Sequence, residues 1–503
     1  MQIDQVLQGV ECVRRSGAVV DITSVEYDSR RVGQGALFVA MQGETTDGNR
    51  YIAKATAQGA RAVVTDSPSA FNGLTLTPPA IAAVQVSHGR NALALIAANF
   101  FGHPERQLAL SGVTGTNGKT TTAFLLDAML NNVGRKTVLV GTIEYHVAGA
   151  VRPSPHTTPE SRDLLELFRE GADAGAVEAV MEVSSHALAQ GRVYGLPFDV
   201  AIFTNLTRDH LDFHGTMENY FAAKRSLFDG NLLSPPRVAV VNIEDPYGAQ
   251  LALTAREVKS EIFSYGLSTG DFRADNIHMA ASGMRFTLQT PFGTSQIQTR
   301  LTGMVNVYNL LASSAAAFAR GLSLTDISVG IASLACVPGR FETVDAGQDF
   351  TVVVDYAHTD DALRNLTALA REFVTSTGGK VITLFGCGGD RDRTKRPMMG
   401  RAAGKGSDFV VLTSDNPRSE DPEAILCDAL PGLQATGTKY VTEVDRFRAI
   451  RLALEAARPG DIVLIAGKGH EKTQTLKQAT IPFDDAEVAA TILREFKQAG
   501  VGA

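Results

Sequence analysis

Cysteine is scarce: Cys12, Cys336, Cys387 and Cys427 are scattered over 503 residues. They have no ligand spacing, so free thiols are expected rather than a cysteine metal site. There is no excess of positive charge either. The formal net charge is −7, against the basic face that non-specific nucleic-acid binding requires. No apolar run is long enough to span a membrane, and the nearest, VVLT and IVLIAG, are strand-sized. The opening MQIDQVLQGVECVRRSG lacks a basic-then-apolar signal pattern. A cytoplasmic chain is therefore expected, with neither nucleic acid nor membrane as partner. Internal repeats and low-complexity segments are also missing. What remains is ordinary globular composition, 44% hydrophobic and 20% charged, at a length that suggests about three domains.

The most informative stretch is Leu108–Thr122, LALSGVTGTNGKTTT. A short apolar run leads into Gly115-Thr116-Asn117-Gly118-Lys119-Thr120-Thr121, and AFLLDAML follows with the look of an amphipathic helix. Strand, glycine-containing loop and helix N-terminus together make a phosphate-binding loop. Glycines let backbone N–H groups converge on a polyphosphate. Lys119 would reach the β- and γ-phosphates, and Thr120 would offer its hydroxyl to Mg²⁺. The first glycine of the general pattern is replaced by Val113, so this is a compact G-T-N-G-K-T-T form. The plain alternative is a Gly/Thr-rich turn.

Strand and helix patterns alternate along the rest of the chain and divide it at about 1–90, 91–337 and 338–503. The first part is a small α/β unit with strands in ALFVAM, AVVT and AAVQV. In the second, TVLVGT, EAVMEVSS, VAIFTNL and RVAVVN alternate with helical stretches such as SRDLLELFREGADAG. That pattern implies a doubly wound, mainly parallel sheet with ligands at the strand carboxyl ends. Alternating short strands around 255–300 suggest an antiparallel insertion, and LTGMVNVYNLLASSAAAFARGL an Ala-rich helix behind a turn. The third part, beginning at Val337-Pro338-Gly339-Arg340, repeats strand-then-polar-loop four times, in TVVVDYAH, KVITLFGCGGDRD, FVVLTSDNPR and DIVLIAGKGHE.

Several residues at strand ends carry candidate chemistry. Glu182 ends EAVME, where a nucleotide-bound Mg²⁺ needs a hard oxygen ligand, or where it would cap the next helix. His210, in TRDHLDFHG, is either a metal ligand or a structural histidine. Lys224, in ENYFAAKRSLF, reads as an exposed helix lysine. Arg391 and Asp415-Asn416-Pro417-Arg418 each follow an apolar strand. They suit recognition of a small carboxylate, or surface ion pairs beside a proline turn. Gly467-Lys468-Gly469-His470-Glu471 is an anion-binding nest or a glycine turn.

The ordered set YDSR, GTNGKTT, HTTPE, MEVSSHAL, NLTRDHLDFHGTMENYFAAK, GMVNVYN, PGRFE, DYAH, GCGGDRDRTKRPMMG, SDNPR and GKGHE resembles the Mur ligases, the ATP-dependent amide-forming family of peptidoglycan synthesis. The likeness runs essentially end to end. Within the family it is similar to the branch that adds meso-diaminopimelate to UDP-MurNAc-L-Ala-D-Glu. The resemblance implies a monomer of three α/β domains: a small N-terminal domain, a central P-loop domain with a doubly wound sheet, and a Rossmann-like C-terminal domain. The first would bind the UDP end through Tyr27, Ser29, Glu44, Thr45 and Thr46. The second would bind ATP at Gly115–Thr121 and the muramoyl peptide at Thr157, Thr158, Ser184, Gln190 and Arg192. Asn306 would contact adenine, and Arg340, Asp355 and His358 the ribose or phosphates.

By the same resemblance Thr120, Glu182 and His210 become Mg²⁺ ligands, and Lys224 a carbamylated lysine that adds an anionic oxygen donor. Arg391, Asp415, Asn416, Pro417, Arg418, Gly467 and Glu471 would hold meso-diaminopimelate. Its second carboxylate, absent from lysine, would be clamped by Arg418. One departure is Asp360, which stands where the family has proline in DYAHTPDAL. The alternatives are a lysine-adding relative, a folylpolyglutamate synthase and a non-catalytic ATP-binding switch protein. Arg418 argues against the first, the N-terminal unit against the second, and the intact Lys119, Glu182, His210 and Lys224 against the third.

Overall fold

The computed structural model describes residues 1–43, 46–76, 81–280 and 283–498. Three sheets built from consecutive stretches of chain organise it. The N-terminal sheet has the strand order Cys12–Ser16, Ala82–Val86, Ala62–Thr65, Leu37–Ala40, Val25–Glu26. Only Cys12–Ser16 runs antiparallel to its neighbour.

The central sheet has eight strands, in the order Glu261–Tyr265, Val238–Asn242, Phe198–Phe203, Ala109–Thr114, Glu178–Glu182, Thr137–Val140, Glu144–Val147, Ala150–Pro153. The first six are parallel and the last two form an antiparallel edge. Ala109–Thr114 lies in the middle, and its successors wind to either side of it. Its carboxyl end is therefore the topological switch point, where ligands gather in such sheets. Register fixes what stands there: Glu182 is level with Val113 on one side, and Phe203 is level with Thr114 on the other.

The helix after the loop, Lys119–Asn132, departs from the amphipathic expectation. Thr120 through Asp127, Met129 and Leu130 are all buried. A helix apolar on all sides belongs between layers. This one lies between the sheet and a second layer built on the Ala-rich helix Met304–Ala319 and the helix Leu324–Ser333. The antiparallel insertion is the three-stranded sheet Arg273–Ala280, Gly283–Thr290, Gly293–Thr299. It begins later than the alternation suggests, because Glu261–Tyr265 joins the main sheet.

The C-terminal sheet runs Glu342–Thr343, Thr351–Asp355, Ile462–Ala466, Val381–Cys387, Phe409–Ser414, Lys439–Glu443, with only the first strand antiparallel. Beneath its carboxyl edge lies a fully buried ion pair. Arg446 Nε and Nη2 donate to Asp485 Oδ1 and Oδ2 at 2.8 and 2.6 Å. The same guanidinium donates to Ser414 O and Ala466 O, the last residues of two strands. Removing one partner of such a pair strands a buried charge, at about 3–5 kcal/mol. Asp485→Ala should therefore lose that much unfolding free energy in chemical denaturation, with Arg446→Met/Asp485→Leu losing much less.

Candidate active site

The phosphate loop is shaped by its glycines. Gly115 has φ +147°, and a Cβ there would lie 1.9 Å from Thr204 Oγ1. Gly118 has φ +85°, and a Cβ would lie 2.3 Å from Asn309 Oδ1. Neither position admits a side chain. Lys119 folds back over the loop, and its Nζ donates to Gly115 O and Thr116 O at 3.0 and 2.9 Å. Burial lowers its pKa, against the pull of Glu182 and Asp209.

Glu182 is almost fully buried. Thr120 donates its hydroxyl to Glu182 Oε2 at 3.1 Å, and Thr142 adds its backbone N–H (2.8 Å) and its hydroxyl (3.0 Å). The helix-cap alternative fails, because Ser185–Ala189 is capped by Ser184, whose Oγ accepts from Ala187 N. Thr142, not anticipated from sequence, also meets Thr157 Oγ1 at 3.1 Å. It follows Thr137–Val140, and the strand-end rule that singled out Glu182 reaches it too. Thr158 donates to Glu182 O, and Arg192 donates to Thr158 O while pairing with Glu160. Gln190 is partly buried at the end of the same short helix.

The other wall holds His210 and Lys224. Lys224 is not an exposed helix lysine: it is 1% exposed, and its Nζ donates to Gly115 O at 2.8 Å. The helix Met217–Arg225 carries it inward beside Tyr220, whose hydroxyl meets Thr116 Oγ1. Burial, with Lys119 nearby, drives its pKa well down, so the amine is biased toward its neutral, nucleophilic form. His210 has φ +51°. Burial of part of its ring pulls it down to about 4 against the attraction of Asp209, and His186, Lys119 and Lys224 add to the fall. Among the described residues no three His, Cys, Asp or Glu side chains cluster as a metal site. The donors that do meet are the Thr120 hydroxyl and the Glu182 carboxylate, hard oxygens suited to Mg²⁺.

The C-terminal unit closes over this loop. Arg340 Nη2 donates to Thr120 Oγ1 at 3.2 Å while its guanidinium lies over Tyr356. Lys395 pairs with Asp209 at 2.5 Å, and Asn117 Nδ2 reaches Asp361 Oδ2 at 3.4 Å. Asp355 accepts from the backbone N–H groups of Phe341 and Ala357, so it fixes the turn carrying Arg340. His358 is exposed and packs on Tyr356. Asn306 lies behind the loop, donating to Thr302 O and accepting from Asn309. In the N-terminal unit, Tyr27 donates to Asp163 Oδ2 at 2.5 Å, across to the helix Ser161–Asp173. Ser29 is buried and Thr46 exposed; Glu44 and Thr45 lie outside the described residues.

A second centre forms where Asp415–Arg418 meets Gly467–Glu471. Gly467 has φ +115° and its N–H donates to Asp355 O. Arg418 Nη1 donates to Gly389 O at 2.7 Å, and Arg391 Nη1 to Asp390 O at 3.2 Å. Both arginines flank Gly388. Neither forms an ion pair among the described residues, so the surface-ion-pair alternative fails. Asn416 Nδ2 donates to Glu471 Oε2 at 2.7 Å. Burial works against the ionised Glu471, but Lys468 and Asn416 hold its pKa below the usual range.

Family models agree with this layout. The Mur ligase middle domain matches residues 113–317, the Mur ligase glutamate ligase domain 339–469, and the Mur ligase family catalytic domain 21–101. A Solibacter usitatus protein named UDP-N-acetylmuramoyl-L-alanyl-D-glutamate--2,6-diaminopimelate ligase is 53% identical over 502 residues, covering 99% of each chain. The chain belongs to the Mur ligase family. A Geobacillus thermodenitrificans protein of the same name is 46% identical, covering 95% of this Mur ligase and 96% of its own length. A solved structure of a ligase of that name superposes with TM-score 0.67 at 32% identity, covering 95% of both chains. MurF from Acinetobacter baumannii shares the fold, with TM-score 0.64 at 20% identity over 92% of this chain and 94% of its own.

His470 ties the two centres. Its ring packs on Tyr356, and its Nδ1 is buried without a hydrogen-bond partner among the described residues. Burial, with Arg340 nearby, pulls its pKa down to about 4. The unfolded side chain takes its proton near about 6.5. Between those values the unfolded chain binds more protons, so stability falls as pH falls from about 6.5 toward 4. Denaturation midpoints across that window should show the decline, and His470→Gln should make it shallower, leaving the share that His210 contributes over the same window.

Proposed function

We propose that this Mur ligase joins meso-diaminopimelate to the D-glutamate γ-carboxylate of UDP-MurNAc-L-Ala-D-Glu, consuming ATP. It would act as three domains, 1–90, 91–337 and 338–503. The observation that supports the reading is that Arg391 and Arg418 meet at Gly388 with no ion pair among the described residues, while Asn416 of the same loop as Arg418 holds Glu471. Two cations on one loop cluster and a carboxylate tied to it match an amino acid with an additional carboxylate. Lysine would leave that cationic wall without a partner.

Lys119, the loop amides and Arg340 would hold the ATP phosphates. Thr120 and Glu182 would hold Mg²⁺, joined by His210 and by Lys224 as a carbamate. As an ammonium or free amine Lys224 offers no anionic oxygen, but its depressed pKa favours the neutral form that adds CO₂. Bound Mg²⁺ would neutralise phosphate charge. Thr157, Thr158, Ser184, Gln190 and Arg192 would align the peptide end of the nucleotide substrate. Tyr27, Ser29 and the 44–46 loop would align its UDP end. Asn306, Asp355 and His358 would frame the ATP nucleoside, the first two by fixing backbone around it.

The γ-carboxylate oxygen attacks the γ-phosphorus, and the bond to the ADP oxygen breaks. The resulting acyl phosphate gives the carbonyl a leaving group that a carboxylate lacks. The amine of diaminopimelate then attacks the acyl carbon, the C–O bond to phosphate breaks, and the nitrogen loses a proton. The protein's part is orientation and exclusion of water.

Phosphate release with UDP-MurNAc-L-Ala-D-Glu should be fast with meso-diaminopimelate and slow with L-lysine or L-ornithine. Preference for lysine would overturn the substrate assignment. Lys119→Ala should abolish ADP formation while the fold is retained. Arg418→Ala should raise the KM for diaminopimelate about tenfold or more and leave that for ATP nearly unchanged. Equal rises in both would refute the clamp.

A further inference from the structure

Lys468 stands between two glycines in the loop after the strand Ile462–Ala466, and its side chain is wholly buried. A buried lysine is costly unless its charge is matched. Its Nζ donates to Glu471 Oε2 at 2.9 Å and to Asn416 Oδ1 at 3.1 Å, and it lies 3.6 Å from Asp415 Oδ1.

This geometry settles the orientation of Asn416. Its Oδ1 accepts from Lys468 and from Thr475 N at 2.9 Å. Both are obligate donors, so the amide nitrogen must turn the other way, toward Glu471 Oε2. The Asn416 oxygen is therefore spent inside the protein, and one N–H of its amide is committed to Glu471. Glu471 Oε2 takes both donors, which leaves Oε1 without a hydrogen-bond partner among the described residues, on a side chain that is 30% exposed.

Charge completes the picture. Asp415, Glu471 and Asp485 face Lys468 and Arg446, so three carboxylates stand against two buried cations. Burial pushes the Asp415 carboxyl up, whereas Glu471 is held ionised by Lys468 and Asn416, so a substrate ammonium would find its anionic partner at Glu471 Oε1. Without Lys468, Glu471 Oε2 and Asn416 Oδ1 would each lose a donor, and both side chains could rotate.

We infer that Lys468 is the positioning residue of the amino-acid pocket: it locks Asn416 and Glu471 so that one Glu471 oxygen faces the ammonium of the incoming amino acid. This rests on the reading that the pocket takes diaminopimelate. That reading is checked separately, by diaminopimelate-dependent turnover of the unaltered enzyme.

The test is steady-state kinetics of Lys468→Met, varying each of the three substrates in turn. Loss of hydrogen bonds to a charged group predicts a rise of about tenfold to a hundredfold in the KM for diaminopimelate. The KM values for ATP and for the nucleotide-peptide should stay within about twofold. A diaminopimelate KM within twofold of the parent, or a parallel rise in all three, would overturn the inference. If the methionine variant is unfolded at the assay temperature, Lys468→Arg is measured instead. Arginine keeps the charge, but its planar fork does not match the pyramidal lysine donors. The same selective rise is then expected, and an unselective change or none overturns the proposal.

Discussion

The register between two parallel strands governs the site. Glu182 ends its strand level with Val113, one residue short of the strand end that launches the phosphate loop. That offset brings its carboxylate to the Thr120 hydroxyl at the start of the helix. A one-residue slip would turn Glu182 to the opposite face of the sheet. Both faces here are covered by helices, and the whole strand Glu178–Glu182 is buried between them. The positions of Lys119, Thr120 and Arg340 follow, because each is placed relative to the loop that this strand supports.

A different device organises the amino-acid pocket. Here the strand ends are tied from below by Arg446, which bonds the last carbonyls of Phe409–Ser414 and Ile462–Ala466. The loops that begin at Asp415 and Gly467 therefore leave the sheet from fixed points. Lys468 then sets the side chains of those loops against each other. Buried charge is expensive, and an apolar core of equal volume would be at least as stable. What the charges supply is orientation: a guanidinium or ammonium with several partners accepts few geometries.

Much of this was legible in sequence because strand-end chemistry is local. GTNGKTT, EVSSH, SDNPR and GKGHE each sit directly after an apolar run, and each is found at a carboxyl edge. Burial was less legible, because it depends on what arrives from elsewhere. Lys224 lies among polar residues on a helix, and only the packing of Met217–Arg225 against the loop drives it inward. The helix Lys119–Asn132 looked two-faced until a second helical layer covered its outer side. Asn416 shows the subtlest gap. It belongs to a motif whose family resemblance implies contact with the substrate, yet its amide faces Lys468, Glu471 and Thr475. No local pattern distinguishes a group that touches ligand from one that holds its neighbour.

The contacts between the phosphate loop and the C-terminal unit are mostly polar. Arg340 reaches Thr120, Lys395 reaches Asp209 and Asn117 reaches Asp361. Water can replace each of these partners, so separating the units costs far less than exposing a comparable apolar face. That balance suits an enzyme that must admit three substrates and then exclude water from an acyl phosphate. Nucleotide phosphates would add negative charge between Lys119 and Arg340, which belong to different units. Their attraction favours the closed arrangement only while the phosphates are present, and so couples closure to occupancy.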